Sequence, residues 1–166
     1  MKNLWAPWRM AYIDGSHEEA HAREAALEPC IFCRFPRDTR DRENLILHRA
    51  ATAFVILNRF PYSNGHLMIV PYAHASALDA LEPASHDELF RLTTRMTALV
   101  RDAFGAEGMN VGMNLGQCAG AGVADHLHVH VVPRWSGDTN FMPVLGEVKV
   151  INEHLLTTYD KLAARL

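Results

Sequence analysis

The sequence has no unbroken apolar run of the roughly 20 residues needed to cross a bilayer, and its opening, "MKNLWAPWRM", lacks the apolar stretch of a signal peptide. A membrane association is therefore not expected, and the chain reads as cytoplasmic. Cysteine is scarce too: only Cys30, Cys33 and Cys118 occur among 166 residues. In a cytosolic chain the pair in "CIFC" suggests metal or redox chemistry more than a structural disulfide. The strand-and-helix surroundings of a thioredoxin-like site are missing, which favours zinc. Net positive charge is also lacking. A formal charge of -3 gives no general grip on nucleic acid, so none is expected as a partner, and an anionic ligand has to be held by local groups. The sequence contains no internal repeat, linker or low-complexity segment.

What is present describes an ordinary globular chain, with 49% apolar and 21% charged residues. The length is that of one domain able to bury a core without staples. The expected layout is a single domain over 1–166, with an extension at 1–28, a motif-bearing core at 29–140, and a closing segment and helix at 141–166.

The first forty residues look irregular, with aromatics at Trp5, Trp8 and Tyr12 and a polar run, "GSHEEAHAREAALEP", that suits a short helix or a loop. The β-rich runs "ENLILHR" and "TAFVILN", parted by "AA", suggest a hairpin. Turn residues in "RFPYSNG" lead to a third strand, "HLMIVPY". A helix is expected from Ser85, where "SHDE" has the capping-box pattern with Glu88 three residues on. Its apolar row runs Leu89, Leu92, Met96, Leu99, Val100 and Phe104, and Gly105 marks its end. "MNVGMNLG" reads as a strand, "QCAGAG" as a loop and "HLHVHVV" as a strand, before a C-terminal helix through Leu155, Tyr159 and Leu162. Strands joined by short turns predict an α+β fold: an antiparallel sheet of about five strands, one long helix and a C-terminal helix.

Within "ADHLHVHVVPRW", His126, His128 and His130 occupy alternate positions. On a strand they would share one face, with Leu127, Val129 and Val131 turned to a core. The outer pair would lie about 13 Å apart along an extended backbone, whereas zinc meets nitrogen at about 2.0–2.1 Å. One metal bound by all three is therefore not expected if the strand stays extended, and the imidazoles must divide their labour. A single strand histidine is usually only a half-buried polar residue. Three in strict alternation each need partners that a half-buried row rarely supplies, which favours a functional site.

These residues resemble the histidine-triad (HIT) superfamily of nucleotide hydrolases and transferases, whose signature "HLHVHVV" matches in full. "NRFPYSNGHLMIVP" resembles the nucleotide-binding strands of that family. "LWAPWRM", "GHLMIVPY", "NLG", "HLHVHVVPRW" and "GDTNF" are similar to its bacterial branch of diadenosine tetraphosphate phosphorylases. The resemblance implies that His128 attacks the α-phosphorus of a dinucleoside polyphosphate, giving a nucleotidyl-histidine that phosphate or water then breaks. It implies that His130 orients or polarises His128 or its phosphate. An imidazole with a reference pKa of about 6.5 keeps a nucleophilic lone pair near neutral pH.

Asn114, Gly120 and Gly122 fit a phosphate-holding loop, because glycine lets backbone N–H groups approach an anion. Where many relatives have a serine or glutamine before the triad, this chain has Gly122 and Val123, in a loop one residue longer than in some branches. A leaving-group role for Gln117 therefore stays unassigned, as does any chemistry of Cys118. By the resemblance Asn58 contacts the ribose and His66 lines the nucleotide pocket; their plain readings are a turn cap and a strand-edge histidine. Trp135 either stacks on a base or packs against "WAPW".

Zinc-containing branches use two thiolates and two histidines, which carry over to Cys30, Cys33, His74 and His126. One structural zinc per chain would fill such a tetrahedral shell. His48 competes with His74, and the bland reading is a pair of reduced cysteines without metal. No organic cofactor is implied. The resemblance also implies a homodimer joined sheet edge to sheet edge. The alternatives to the dinucleoside reading are a nucleoside phosphoramidate or adenylate hydrolase, and a non-catalytic nucleotide-binding regulatory protein.

Overall fold

A five-stranded antiparallel sheet in the order β1-β2-β3-β5-β4 carries the molecule. The computed structural model describes residues 28–146 and 150–166, so the expectations for Trp5, Trp8, Tyr12 and most of the polar run lie outside the described residues. The chain enters through α1 (Ile31–Arg34), a 3-10 turn and α2 (Asp41–Asn44), then forms the hairpin β1 (Ile46–Arg49) and β2 (Ala53–Leu57). Strand β3 (Leu67–Pro71) follows the "RFPYSNG" turn, and helix α3 spans Pro83–Phe104. Next come β4 (Gly108–Gly112), the glycine-containing loop, β5 (Val129–Arg134), α4 (Met142–Gly146) and α5 (Leu155–Ala163).

All residues of β2 and β3 are buried. Both faces of these central strands are therefore covered, which is why their sequences are continuous apolar runs without alternation. From α3, Leu89, Leu92, Met96 and Val100 join Val55, Ile69 and Val131 in one core. Helix α5 adds Tyr159 and Leu162, and the Tyr159 hydroxyl donates to the Ile46 carbonyl at 2.9 Å.

Two expectations about element ends are corrected. Helix α3 begins at Pro83, with Glu82 at its N-cap and no side-chain cap, so the "SHDE" capping box does not form. Proline suits the first turn because its missing N–H has no helical partner there. Glu88 is instead buried and accepts hydrogen bonds from the Thr52 backbone N–H and hydroxyl, tying α3 to the β1–β2 turn. Burial opposes its ionisation, but the hydrogen bonds from Thr52 and Ala51 prevail and hold it below the usual carboxylate range. Strand β4 starts one residue earlier than expected and stops at Gly112, leaving Met113 and Asn114 on the loop. The C-terminal end of α3 was legible: Gly105 takes a left-handed φ of 61° as its C-cap.

The largest correction concerns the triad. Strand β5 begins only at Val129, so His126 and His128 lie on the approach to it. Nor does the stretch divide into an apolar buried face and an open imidazole face. His126 is 1% and His128 6% exposed, as buried as Leu127 at 4%. Phe32 of α1 lies against both rings, with centroids 5.4 Å from His126 and 5.1 Å from His128. An aromatic residue 94 positions earlier than His126 was not visible to a strand-period argument.

Candidate active site and metal centre

The hydrogen bonds around the four imidazoles fix where their protons sit. A carbonyl oxygen only accepts, so a ring nitrogen facing one must carry a proton. Nδ1 of His128 lies 2.8 Å from the carbonyl of His126 and therefore donates, which leaves Nε2 with the lone pair. Burial pushes the His128 pKa below its ordinary value, against the opposing pull of that carbonyl. The group is thus a buried, neutral imidazole with its nucleophilic nitrogen set by the backbone.

His130 sits on β5 opposite Met68 of β3 and Gly112 of β4. His66 lies two residues before Met68 on the same line and reaches His130 diagonally across the strand pair. The backbone N–H of Tyr62 donates to Nδ1 of His66 at 3.0 Å. In neutral His66 the proton is then on Nε2, which donates to Nδ1 of His130 at 2.9 Å. Neutral His130 consequently carries its own proton on Nε2 and is a hydrogen-bond donor there. Burial, followed by the neighbouring His128, lowers its pKa to about 4. Its ring stands 4.8 Å from that of His128 in an edge arrangement.

His126 turns the other way. Its Nε2 donates to the Pro71 carbonyl at 2.8 Å, so Nδ1 presents a lone pair to Cys30 Sγ at 3.3 Å and Cys33 Sγ at 3.6 Å. Nδ1 of His74 lies 3.2 Å from Cys33 Sγ. One donor atom from each of these four residues falls within 4.8 Å of all the others, a group that could hold a metal ion. The fit is good on chemical grounds: two sulfur and two nitrogen donors suit zinc, and the Pro71 carbonyl supplies the outer hydrogen bond that orients a ligand histidine. Without a cation, burial and the Cys30 thiol push the Cys33 thiol up to about 11. Of the two candidates for the third ligand, His74 is in this cluster. His48 lies elsewhere, 3.4 Å from a guanidinium nitrogen of Arg95.

A cleft of about 810 Å³ runs from His130 past Val132 and Arg134 to Trp135, with Tyr62, Asn114, Asn110 and Phe104 in its walls. It is large enough for a nucleotide-sized ligand. Asn114 lines it, with its amide 3.4 Å from the Gly120 carbonyl. Gly120 itself needs to be glycine, since its φ is 89°. Gly120 and Gly122 are not among the residues lining this cleft, although both belong to the loop that leads into His126.

Trp135 is half-buried, and its indole N–H donates to the carbonyls of Phe104 and Gly105, closing the C-terminus of α3 while the ring borders the cleft. Asn58 caps the following turn by accepting from the Phe60 N–H at 2.9 Å, and it does not line the cleft. His66 does not line it either: it is fully buried beneath the surface and touches His130. The sequence reading missed Phe32 and Tyr62. Both are aromatic and both sit in a motif that had been singled out, "CIFC" and "RFPYSNG", which was the available signal.

Residues 40–137 match the HIT domain family. Over 163 residues, 98% of this chain and 83% of the relative, the sequence is 38% identical to a Mycobacterium tuberculosis protein named AP-4-A phosphorylase. Over 105 residues, 63% of this chain and 74% of the other, it is 31% identical to an adenosine 5'-monophosphoramidase of Schizosaccharomyces pombe. A solved structure of a Zn-bound histidine triad family protein from Mycobacterium smegmatis has the same fold, with a TM-score of 0.65 at 24% identity over 81% of this chain and 91% of that one.

Proposed function

The chain belongs to the HIT domain family, and from that premise we propose that it is an enzyme transferring the nucleotidyl group of a dinucleoside polyphosphate, most simply diadenosine tetraphosphate, through His128. The observation that carries this reading is the hydrogen bond from Nδ1 of His128 to the His126 carbonyl, which leaves Nε2 as a nucleophile in a neutral, buried ring. The name of the Mycobacterium tuberculosis relative supports the substrate class.

In the first step the Nε2 lone pair forms a bond to the α-phosphorus, and the P–O bond to the remaining phosphate chain breaks, its electrons leaving with ATP. In the second step an oxygen of inorganic phosphate or of water attacks the same phosphorus and returns the P–N electron pair to His128. His130 Nε2–H donates to a phosphate oxygen as charge is redistributed, fixed in that role by His66. Asn114 bounds the phosphate side, with its amide directed to the Gly120 carbonyl of the adjoining loop, while Asn58 shapes the turn that carries Tyr62 and His66. Trp135 contributes an aromatic wall against which a base can stack.

Cys30, Cys33, His74 and His126 would hold one structural zinc, whose four ligands leave no position for water. Its contribution is to tie α1 to the approach to β5. The three cysteines are free, which fits a reducing, cytoplasmic setting. Among the described residues no helix is long and apolar enough to cross a membrane. Strand β4 is an outer strand with Val111 exposed, and we place the homodimer contact on that edge.

The deciding experiment is the product profile from diadenosine tetraphosphate with and without inorganic phosphate. ADP plus ATP, formed only with phosphate, is the expected result. AMP plus ATP, or two ADP, assigns hydrolysis instead. Turnover confined to adenosine phosphoramidates or adenylates would move the protein to the alternative reading that the Schizosaccharomyces pombe relative suggests.

A further inference from the structure

We propose that Tyr62 is a positioning residue of this site, whose ring covers the His66–His130 pair on the cleft side and holds His130 oriented beside His128. The inference rests on the reading of His128 as nucleophile and His130 as its partner. Tyr62 acts on two successive imidazoles by two different groups. Its backbone N–H fixes the proton of His66, as described above. Its ring lies 4.7 Å from the His66 ring and is stacked on His130 at 5.9 Å and 27°. Half of the residue is exposed, and it shares the cleft wall with His130 and Asn114.

His130 needs such a cover because the strand beside it offers none. Its partner on β4 is Gly112, which has no side chain, so water has an approach to the imidazole from that direction. Among the described residues, the titratable groups packed on His130 are His128 from its own strand side and His66 and Tyr62 from the turn before β3. Removing the Tyr62 ring admits water to the pair while leaving the backbone hydrogen bond in place. Substitution therefore isolates the ring's contribution. With water competing as a partner at Nδ1, His130 would loosen its hydrogen bond from His66 while still neutral near neutral pH. His130 would then no longer be held in one orientation.

The test compares Tyr62→Phe, Tyr62→Leu and Tyr62→Ala in the full chain, with His128→Ala as the control for the underlying reading. Tyr62→Phe is expected to keep kcat within about twofold, because the stacked ring is retained. Tyr62→Ala is expected to lower kcat about tenfold with a smaller change in KM. Its His130 titration, followed by the ring proton resonances without substrate, should move upward by about one pH unit. Tyr62→Leu, which retains bulk, should fall between the two and guards against misfolding in the alanine variant. An unchanged kcat and titration in both Tyr62→Ala and Tyr62→Leu would overturn the proposal. So would a change in KM alone, or an equal loss in Tyr62→Phe, which would assign the effect to the hydroxyl. Full turnover in His128→Ala would instead remove the catalytic reading beneath it.

Discussion

The ring of His128 is oriented by the backbone of His126, its Nδ1 lying 2.8 Å from that carbonyl oxygen. One residue thus faces the thiols with its side chain and orients a buried imidazole with its main chain. Alanine at 128 removes the lone pair but not the cleft. His128→Ala is expected to lower kcat by about three orders of magnitude or more while nucleotide affinity stays within a few fold. Radiolabelled substrate should no longer leave a labelled protein after quenching in alkaline denaturant, which spares the acid-labile P–N bond, and retained labelling would point to another nucleophile.

The acid limb of the rate should be displaced. Burial lowers the pKa of His128, and burial with the His128 neighbour lowers that of His130 to about 4. Both stay neutral to lower pH than an ordinary histidine of about 6.5, so the acid limb of kcat/KM should lie below that value and the rate should fall as pH drops through the depressed values. Stability follows the same sign. A histidine whose folded pKa is lowered binds more protons when unfolded, so it favours the unfolded chain once pH falls below about 6.5. Its destabilising effect should be complete for His130 near pH 4. A Tm series from pH 7.5 to 4.5 checks this, and a Tm that rose on acidification would contradict it.

The antiparallel α+β class, a sheet of about five strands and the long helix could be anticipated from local pattern, since turns and apolar runs are local features, whereas the strand order was not read and the four-residue cysteine–histidine cluster came from the family resemblance. Glu88 shows where that reasoning ends. Its spacing from Ser85 suited a capping box, but the carboxylate was captured by Thr52, which the fold brings close from 36 residues away. His66 shows the same limit in the site. A strand-edge histidine in sequence becomes a buried support because β3 and β5, remote along the chain, are neighbours. The expected split of this stretch into an imidazole face and an apolar core face failed for a related reason: Phe32 covers His126 and His128, and only tertiary packing places it there.

His66 should matter although it does not reach the cleft. His66→Phe keeps an aromatic ring but removes both the acceptor for Tyr62 N–H and the donor to His130 Nδ1. Leaving such buried groups unpaired costs about 1–3 kcal/mol. The expected result is a kcat reduced about 10- to 100-fold together with a lower Tm. His66→Gln, which retains a donor and an acceptor, should recover part of both.

The thiol cluster makes a separable prediction. Purified under metal-sparing conditions, the protein should contain about one zinc per chain by elemental analysis. Cys33→Ser and His74→Ala should lower that content and the Tm together, because a ligand that binds only the folded state stabilises it. His48→Ala should alter neither, since His48 lies outside the cluster. Less than a trace of zinc in the unaltered protein would return Cys30 and Cys33 to the reading of two reduced, metal-free cysteines.

Gly65 links the stability of the fold to the shape of the cleft. It occupies the position before His66 with a φ of 78°, and a Cβ built there would stand 3.0 Å from Cε2 and 3.1 Å from Cδ2 of Phe104. The left-handed backbone alone disfavours an L side chain by roughly 1–2 kcal/mol. The added carbon would also press on a ring that borders the cleft next to Trp135, whose indole is held by the Phe104 carbonyl. Gly65→Ala should therefore lower Tm by several degrees and raise KM for the dinucleoside substrate more than Gly105→Ala. That second glycine shares the left-handed φ, at 61°, but its Cβ would meet nothing within 4 Å. Backbone strain is common to the two variants, so any excess KM effect in Gly65→Ala reads the displacement of Phe104. Equal effects on KM would assign the whole change to strain.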